Sequence, residues 1–346
     1  MIIIGCDFHP SGQQICWLDT ATGETGERKL EHALGGAEKY YRGLPGSARI
    51  GMESTGNCQW FVELLTKLGH EVWIGDAAKI RACDTRQQKH DRRDAALILK
   101  LLVEGRFPRI WTPSSQERDL RQLLIHRDKL VRMRVQVKNE LQHLAMNQGI
   151  TKKRRLWSAA GEKVLCELPL QPWASRRRED LLRLRSLLDE QIALLDQAVK
   201  QVAAENEKAQ LLMTQPGVGP ITALAFVLMI GDVQRFPRSK QVASYLGLIP
   251  REYSSGGHQR FGSISKQGNR FMRMLLVEAA QSVVRYDPEF RNEYLHRCHK
   301  KPKGVAKVAA ARKLTVRLYW MLKTNTAYPE IARVESRSRV PLASAS

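Results

Sequence analysis

Two aspartates, Asp91 and Asp94, stand in the stretch KHDRRDAALILKLLVEG, among basic residues at the mouth of an apolar helix. Residues three apart in a helix share a face, and Leu97, Ile98, Leu101 and Leu102 form a stripe that docks on a neighbouring layer. Both carboxylates therefore project past that layer's edge. Two further acids end apolar runs: Asp7 after IIIGC, and Glu53 at the end of ARIGME. Four carboxylates at close range cannot all stay ionised unless cations neutralise them. Hard oxygen ligands of this kind suit Mg²⁺ or Mn²⁺, which hold a phosphodiester and polarise it. Taken alone, the Asp91 and Asp94 pair has a plainer reading, as a helix start that pairs with Arg92 or Arg93.

A second reactive stretch is YLGLIPREYSSGGHQRFGSISKQGNRFMRMLLVEAA. It sets the hydroxyls of Ser254, Ser255, Ser263 and Ser265 in glycine-rich backbone beside phosphate-binding cations, Arg251, Arg260, Lys266 and Arg270. A serine is a poor nucleophile at neutral pH and needs a base or a metal to activate it. Spacing does not choose among the four. Upstream, TQPGVGPITA places Gly217 and Gly219 in a tight turn that opens an apolar helix. In a helix-hairpin-helix the exposed N–H groups at such a start hold a DNA phosphate, although an ordinary Pro-Gly helix start fits equally well.

The elements that must position these residues follow from periodicity. Residues 2–6 read as a strand, QQICWLDTATGETGERKL as a hairpin, GAEKYYRGL as a helix, ARIGMES as a strand, QWFVELLTKLG as a helix and EVWIG as a strand. The order β-β-β-α-β-α-β-α is that of ribonuclease H-like domains, whose first and fourth strands lie side by side with acids near their ends. Asp7 and Glu53 occupy those two places, and this joint pattern favours the metal reading of all four acids. From Ser114 to about Gln148 the pattern predicts a long helix with Leu123, Leu130, Val137 and Leu144 at heptad spacing. A second helix, Glu179 to about Glu205, repeats it with Leu181, Leu188, Leu195 and Val202. Between them, Lys152, Lys153, Arg154 and Arg155, then Arg176, Arg177 and Arg178, read as phosphate-contacting patches near Trp157 and Trp173, with a solvated charge run as the alternative.

Bulk properties agree with a nucleic-acid partner. The 346 residues hold 56 Lys and Arg against 35 Asp and Glu, a formal charge of +21, so a polyanion is expected. A hydrophobic content of 43% is enough to build proper cores. No apolar run is long enough to span a bilayer and MIIIGCDFHP lacks a signal peptide's basic start, so no membrane partner and a cytoplasmic location are expected. Six scattered cysteines without a CxxC pair indicate neither a disulfide framework nor a zinc site.

In order, GCDFH, GMESTG, KHDRRDAALI, a helical arm, PGVGPITA and GLIPREYSSGGHQRFGSISKQGNR resemble the DEDD-type recombinases of the bacterial insertion sequence one-ten family, over roughly Ile2 to Leu322. The resemblance implies an α/β plus α architecture. A RuvC-like, ribonuclease H fold catalytic domain would span 1–112 and a coiled-coil arm 113–207. A mostly helical, serine-bearing transposase domain with the helix-hairpin-helix-like motif would span 208–328, and a tail without fixed structure 329–346. The acidic tetrad falls on Asp7, Glu53, Asp91 and Asp94, and the attacking serine, which directly precedes a glycine, falls on Ser255. The family further implies Mg²⁺ or Mn²⁺, donor and target double-stranded DNA, and a noncoding bridge or seek RNA as guide. It implies action at the bacterial nucleoid and a homo-oligomer, a dimer that becomes a tetramer in the synaptic complex, in which the serine acts in trans. Two rival classes are a resolvase-like nuclease, with the same acids and water as nucleophile, and a non-catalytic RNA- or chromatin-binding protein. The chain's length speaks against the first and the carboxylates at matched strand ends against the second.

Overall fold

A computed structural model of the protein describes residues 1–83, 91–151, 155–254, 258, 260–328 and 330–332, with Asp91 described in its backbone only. The chain forms two compact units, Met1–Thr112 and a second that begins at Pro113.

In the first unit, β1 (Ile2–Phe8), β2 (Gly12–Asp19) and β3 (Thr25–Glu31) make an antiparallel meander, followed by α1 (Gly36–Arg42). Next come β4 (Ala48–Glu53), α2 (Gln59–Lys67) and β5 (Glu71–Gly75), and the two strands extend the sheet in parallel to give the order β3-β2-β1-β4-β5. This mixed sheet is compatible with a ribonuclease H-like fold. Strand alternation divides the side chains between two faces. Ile4, Cys6, Ile50 and Met52 pack with Tyr41 of α1 and with Phe61 and Leu65 of α2. On the other face Ile3 packs with Ile98, Leu101 and Leu102, which belong to α4 (Asp91–Val103). Before α4 lies a helix absent from the sequence-based order, α3 (Ala77–Ala82), which starts where the Asp76 carboxylate accepts the N–H groups of Ala78 and Lys79. AAKIRA buries only Ile80, so it carries no visible amphipathic period.

The second unit opens with α5 (Ser115–Asn147), started by a reciprocal capping box between Ser114 and Glu117. After α6 (Ala159–Cys166), α7 (Pro172–Glu205) returns antiparallel to α5, as the pairs Arg127–Asp196, Arg134–Asp189 and Glu140–Arg177 show. The helix expected from Glu179 thus starts at Pro172, because WASRRRED is helical without an apolar stripe to reveal it. The buried seam also departs from strict heptads. Val137 and Leu141 pack with Leu188, and Leu144 and Ile192 are buried too, whereas Leu130, Leu181, Leu195 and Val202 are only half-buried. A straight helix turns every 3.6 residues, so a seven-residue stripe drifts off the seam.

Beyond the arm come α8 (Glu207–Met213), α9 (Pro220–Ile230), α10 (Ser239–Tyr245) and the small hairpin β6 (Pro250–Glu252) and β7 (Phe261–Ile264). The unit is completed by α11 (Arg270–Tyr286), α12 (Pro288–Lys300) and α13 (Lys303–Thr324). Every residue of α9 from Thr222 to Ile230 is buried, which makes it the central helix of the larger core. One buried ionic group holds this core to the turn before α9. Arg317 of α13, fully buried, donates to Asp287 Oδ2 at 2.6 Å and to Gln215 Oε1 at 3.2 Å, while Asp287 also accepts the N–H of Phe290.

Candidate functional site

Gly5 and Gly51 face each other across the parallel β1–β4 ladder. A β-carbon at Gly5 would run into the Ala95 carbonyl oxygen and the Leu99 nitrogen of α4, and one at Gly51 would meet the Leu102 side chain at 2.6 Å. The glycine pair is therefore the trough in which α4 lies. Two residues further along the same face are Asp7 and Glu53, each one step beyond the last paired residues, Cys6 and Met52. Asp94 directly precedes Ala95, the residue that touches Gly5. The same close packing thus brings Asp7, Glu53 and the first turn of α4 to one end of the sheet.

Each strand-end acid meets a basic side chain. Asp7 Oδ2 lies 3.1 Å from His9 Nε2, and Glu53 Oε1 accepts from Arg81 Nη2 at 2.8 Å. The Asp7 side chain is 14% exposed and that of Glu53 30% exposed, so both remain reachable from solvent. Among the described residues no group of three His, Cys, Asp or Glu side chains is arranged to hold a metal ion, and the fourth acid, Asp91, contributes only its backbone to what is described. The chemistry of the donors nonetheless fits a divalent ion: hard carboxylate oxygens at adjacent strand ends, within reach of solvent. Sequence reasoning missed His9 and Arg81. His9 was within reach, since it stands two residues beyond Asp7 on an extended run; Arg81 meets Glu53 only through the fold.

Ser255, with Gly256 and Gly257, lies outside the described residues, as do Lys152, Lys153 and Arg154. The neighbouring hydroxyl is described: Ser254 Oγ donates to Glu252 Oε1 at 2.6 Å and accepts the N–H of Arg260 at 3.3 Å, closing the β6–β7 hairpin. Arg251, Arg260, Lys266 and Arg270 are all exposed around it. Lys266 holds a left-handed backbone, φ 56°, and Arg273, also missed in the sequence, donates to the carbonyls of Leu246, Gln267 and Gly268 at the hairpin's base. Gly217 is left-handed as well, φ 88°, and passes within 2.6 Å of the Val283 nitrogen at its would-be β-carbon, while Gly219 caps α9. In the arm, Arg155 is exposed in a short turn. Arg176 pairs with Asp180, Arg177 with Glu140, and Arg178 reaches the Leu168 carbonyl. Trp157 lies under Lys138, 5.0 Å from its ring centre, and Trp173 is 86% exposed.

Residues 4–147 match a family of DEDD transposases of the IS110 type, and residues 209–295 match the family described as transposase IS116/IS110/IS902. The chain belongs to the IS110 transposase family. A probable family 20 transposase of Pseudomonas aeruginosa is 29% identical over 94% of this chain and 98% of its own length. The transposase for insertion sequence element IS1111A of Coxiella burnetii is 28% identical over 82% of this chain and 78% of its own, and that for IS1328 of Yersinia enterocolitica 29% over 80% and 84%. The transposase is accordingly an enzyme of DNA recombination, its substrate is DNA, and its DEDD class points to a divalent metal. Among its described residues no helix is long and apolar enough to cross a membrane.

Proposed function

We propose that this transposase cuts and rejoins DNA by serine attack on a phosphodiester, assisted by two Mg²⁺ or Mn²⁺ ions held among Asp7, Glu53, Asp91 and Asp94. The observation that supports it most is the glycine trough, which draws α4 onto β1 and β4 where Asp7 and Glu53 emerge side by side. Bound ions would supply Lewis-acid stabilisation of the charge that builds on the phosphoryl oxygens. Asp91 and Asp94 stand one helical turn apart, which suits two ligands on one face.

In this reading Ser255 is the nucleophile. Its Oγ–phosphorus bond forms as the phosphorus–oxygen bond to the leaving strand breaks, and the leaving DNA hydroxyl takes up the proton that serine gives away. Attack by a DNA hydroxyl then reverses the step and reseals a strand, so bond energy is conserved in the protein–DNA ester and no nucleotide cofactor is needed. Ser254 serves the hairpin instead, its hydroxyl already engaged by Glu252 and Arg260. Arg251, Arg260, Lys266 and Arg270 hold flanking phosphates, as do the N–H groups after Gly217 and Gly219 in a helix-hairpin-helix role. Arg155, together with Lys152, Lys153, Arg154 and Arg176 to Arg178, contacts the backbone of a noncoding bridge or seek RNA, whose pairing with donor and target DNA sets the site. The α5–α7 arm carries the homo-oligomer. Its outer surface leaves Leu184, Leu187 and Leu194 exposed, a second copy's natural partner surface.

The test is strand exchange between donor and target duplexes with the guide RNA supplied. Exchange should vanish with Asp94→Asn or with EDTA and return on adding Mg²⁺ to the wild type; normal exchange by Asp94→Asn in Mg²⁺ buffer removes the metal site from the account. Water as nucleophile, as in a resolvase-like nuclease, would instead leave cutting intact in Ser255→Ala.

A further inference from the structure

The second unit contains a cleft of about 740 Å³ between the β6–β7 hairpin and α13, with the end of α12 at its rim. That volume lies within the ~300–1,000 Å³ typical of small-ligand sites. Its floor is a stripe of α13 at four-residue spacing, Val308, Arg312, Val316 and Trp320, and Ser263 of β7 faces it from the hairpin. Trp320 is 41% exposed and Val305, at the start of the same helix, 54% exposed, so apolar side chains at both ends of the cleft are open to solvent. Arg297, Arg312 and Lys313 are its charged residues, and no Asp or Glu among the described residues lines it.

Those cations differ from the ones in the arm. Arg176 and Arg177 spend their charge on Asp180 and Glu140. Lys313 pairs with Glu293 at 3.0 Å, but among the described residues neither Arg297 nor Arg312 forms an ion pair with a carboxylate. An apolar wall with an exposed indole, two uncommitted guanidiniums and a hydroxyl has the complement of one kind of ligand: a flat, apolar ring carrying an anionic phosphate, with polar edges. The cleft's other wall is the hairpin whose first strand ends at Glu252, two residues before Ser254.

We infer that this cleft holds an unstacked nucleotide of the DNA strand being cut, its base against Val316 and Trp320, one helical turn apart, and its phosphates on Arg297 and Arg312. The inference rests on the proposed function for the presence of a cut strand and adds where that strand is gripped. Seating one base on the side chains of α13 in place of its neighbours in the stack fixes the strand's path beside the hairpin, and the grip is sequence-tolerant because every base has an apolar face.

The experiment uses the full chain and a short single-stranded oligodeoxynucleotide carrying one fluorescent base analogue, read by anisotropy for affinity and by analogue emission for unstacking. A matched duplex and an RNA of the same sequence form the other arms. Arg297→Ala with Arg312→Ala should weaken single-strand binding by about tenfold or more and reduce the slope of log affinity against log salt by roughly 1.4, two phosphates at ~0.7 each. Ala309→Phe, which fills the cleft and removes no charge, should abolish the emission change, with thermal melting of each variant as the check on folding. DNA binding by the wild type that both variants retain in full, emission change included, overturns the cleft while leaving the proposed function standing. Dependence on these residues for RNA but not for DNA also overturns it. A wild type that binds no DNA in any arm fails the proposed function itself.

Discussion

Asp7 and Glu53 stand one step past the last paired residues of two parallel strands, and each meets a basic side chain, His9 at 3.1 Å and Arg81 at 2.8 Å. Pairs this near solvent are worth about 0–1 kcal/mol, so removing an acid costs the fold little. We therefore expect Asp7→Ala and Glu53→Ala to shift the denaturant midpoint of the first unit by less than about 1 kcal/mol equivalent while abolishing strand exchange. A loss of several kcal/mol would make these acids structural. The sequence made the acids legible because strand alternation and an apolar run ending in a carboxylate are local patterns. Arg81 was not legible, since it stands far along the chain from Glu53 and no local period links them. The hydroxyls were legible only as a set: the bond of Ser254 to Glu252, which gives it a part in the hairpin, belongs to the folded chain.

At the scale of elements, the packing of α4 on β1 is the joint on which the acidic site depends. Because backbone of α4 occupies the space of a β-carbon at Gly5, Gly5→Ala must push the helix away. Overpacking of this kind costs about 1–3 kcal/mol, and it displaces Asp94 with the helix. The variant should melt several degrees lower and lose strand exchange even where circular dichroism shows it folded; full activity in a folded Gly5→Ala protein would detach the site from this joint. The succession of strands and the apolar stripe of α4 could be read from periodicity, which records the face each residue buries, whereas the neighbouring of β1 and β4 came from the likeness to ribonuclease H-like domains. The start of α7 at Pro172 and the helix α3 could not, because their first turns bury almost nothing. The seam between α5 and α7 was read as strict heptads and is instead a drifting 3.6-residue stripe, a difference that only the partner helix's surface decides.

For the whole molecule, charge and its burial set the behaviour. Burial pushes the Asp287 carboxyl up, but the Phe290 N–H and the Arg317 guanidinium outweigh it and hold the group below the usual carboxylate range. A depressed carboxylate stabilises the fold above its unfolded value of about 3.9, and that stabilisation is lost as pH falls through the folded value. Acid melting of the second unit should accordingly become shallower in Asp287→Asn. Arg317→Leu leaves a buried charge alone and should cost about 3–5 kcal/mol, whereas the double variant with Asp287→Leu should regain part of it; a double variant no better than the single would deny the coupling. On the surface, alanine at Lys152, Lys153, Arg154 and Arg155 should lower the salt slope of nucleic-acid binding, by up to ~0.9 for each duplex phosphate no longer neutralised, and an unchanged slope would assign the four to solvation. Serine chemistry is the account's central claim, and trapping it is the most direct measurement. The full chain is reacted with guide RNA and a DNA substrate nicked near the cut, denatured, and the DNA-linked peptide mapped by mass spectrometry. The account predicts a phosphoester on Ser255 that Ser255→Ala and EDTA both eliminate, with Ser254→Ala still forming it; free phosphate ends without an adduct, or an adduct on Ser254, Ser263 or Ser265, would contradict it.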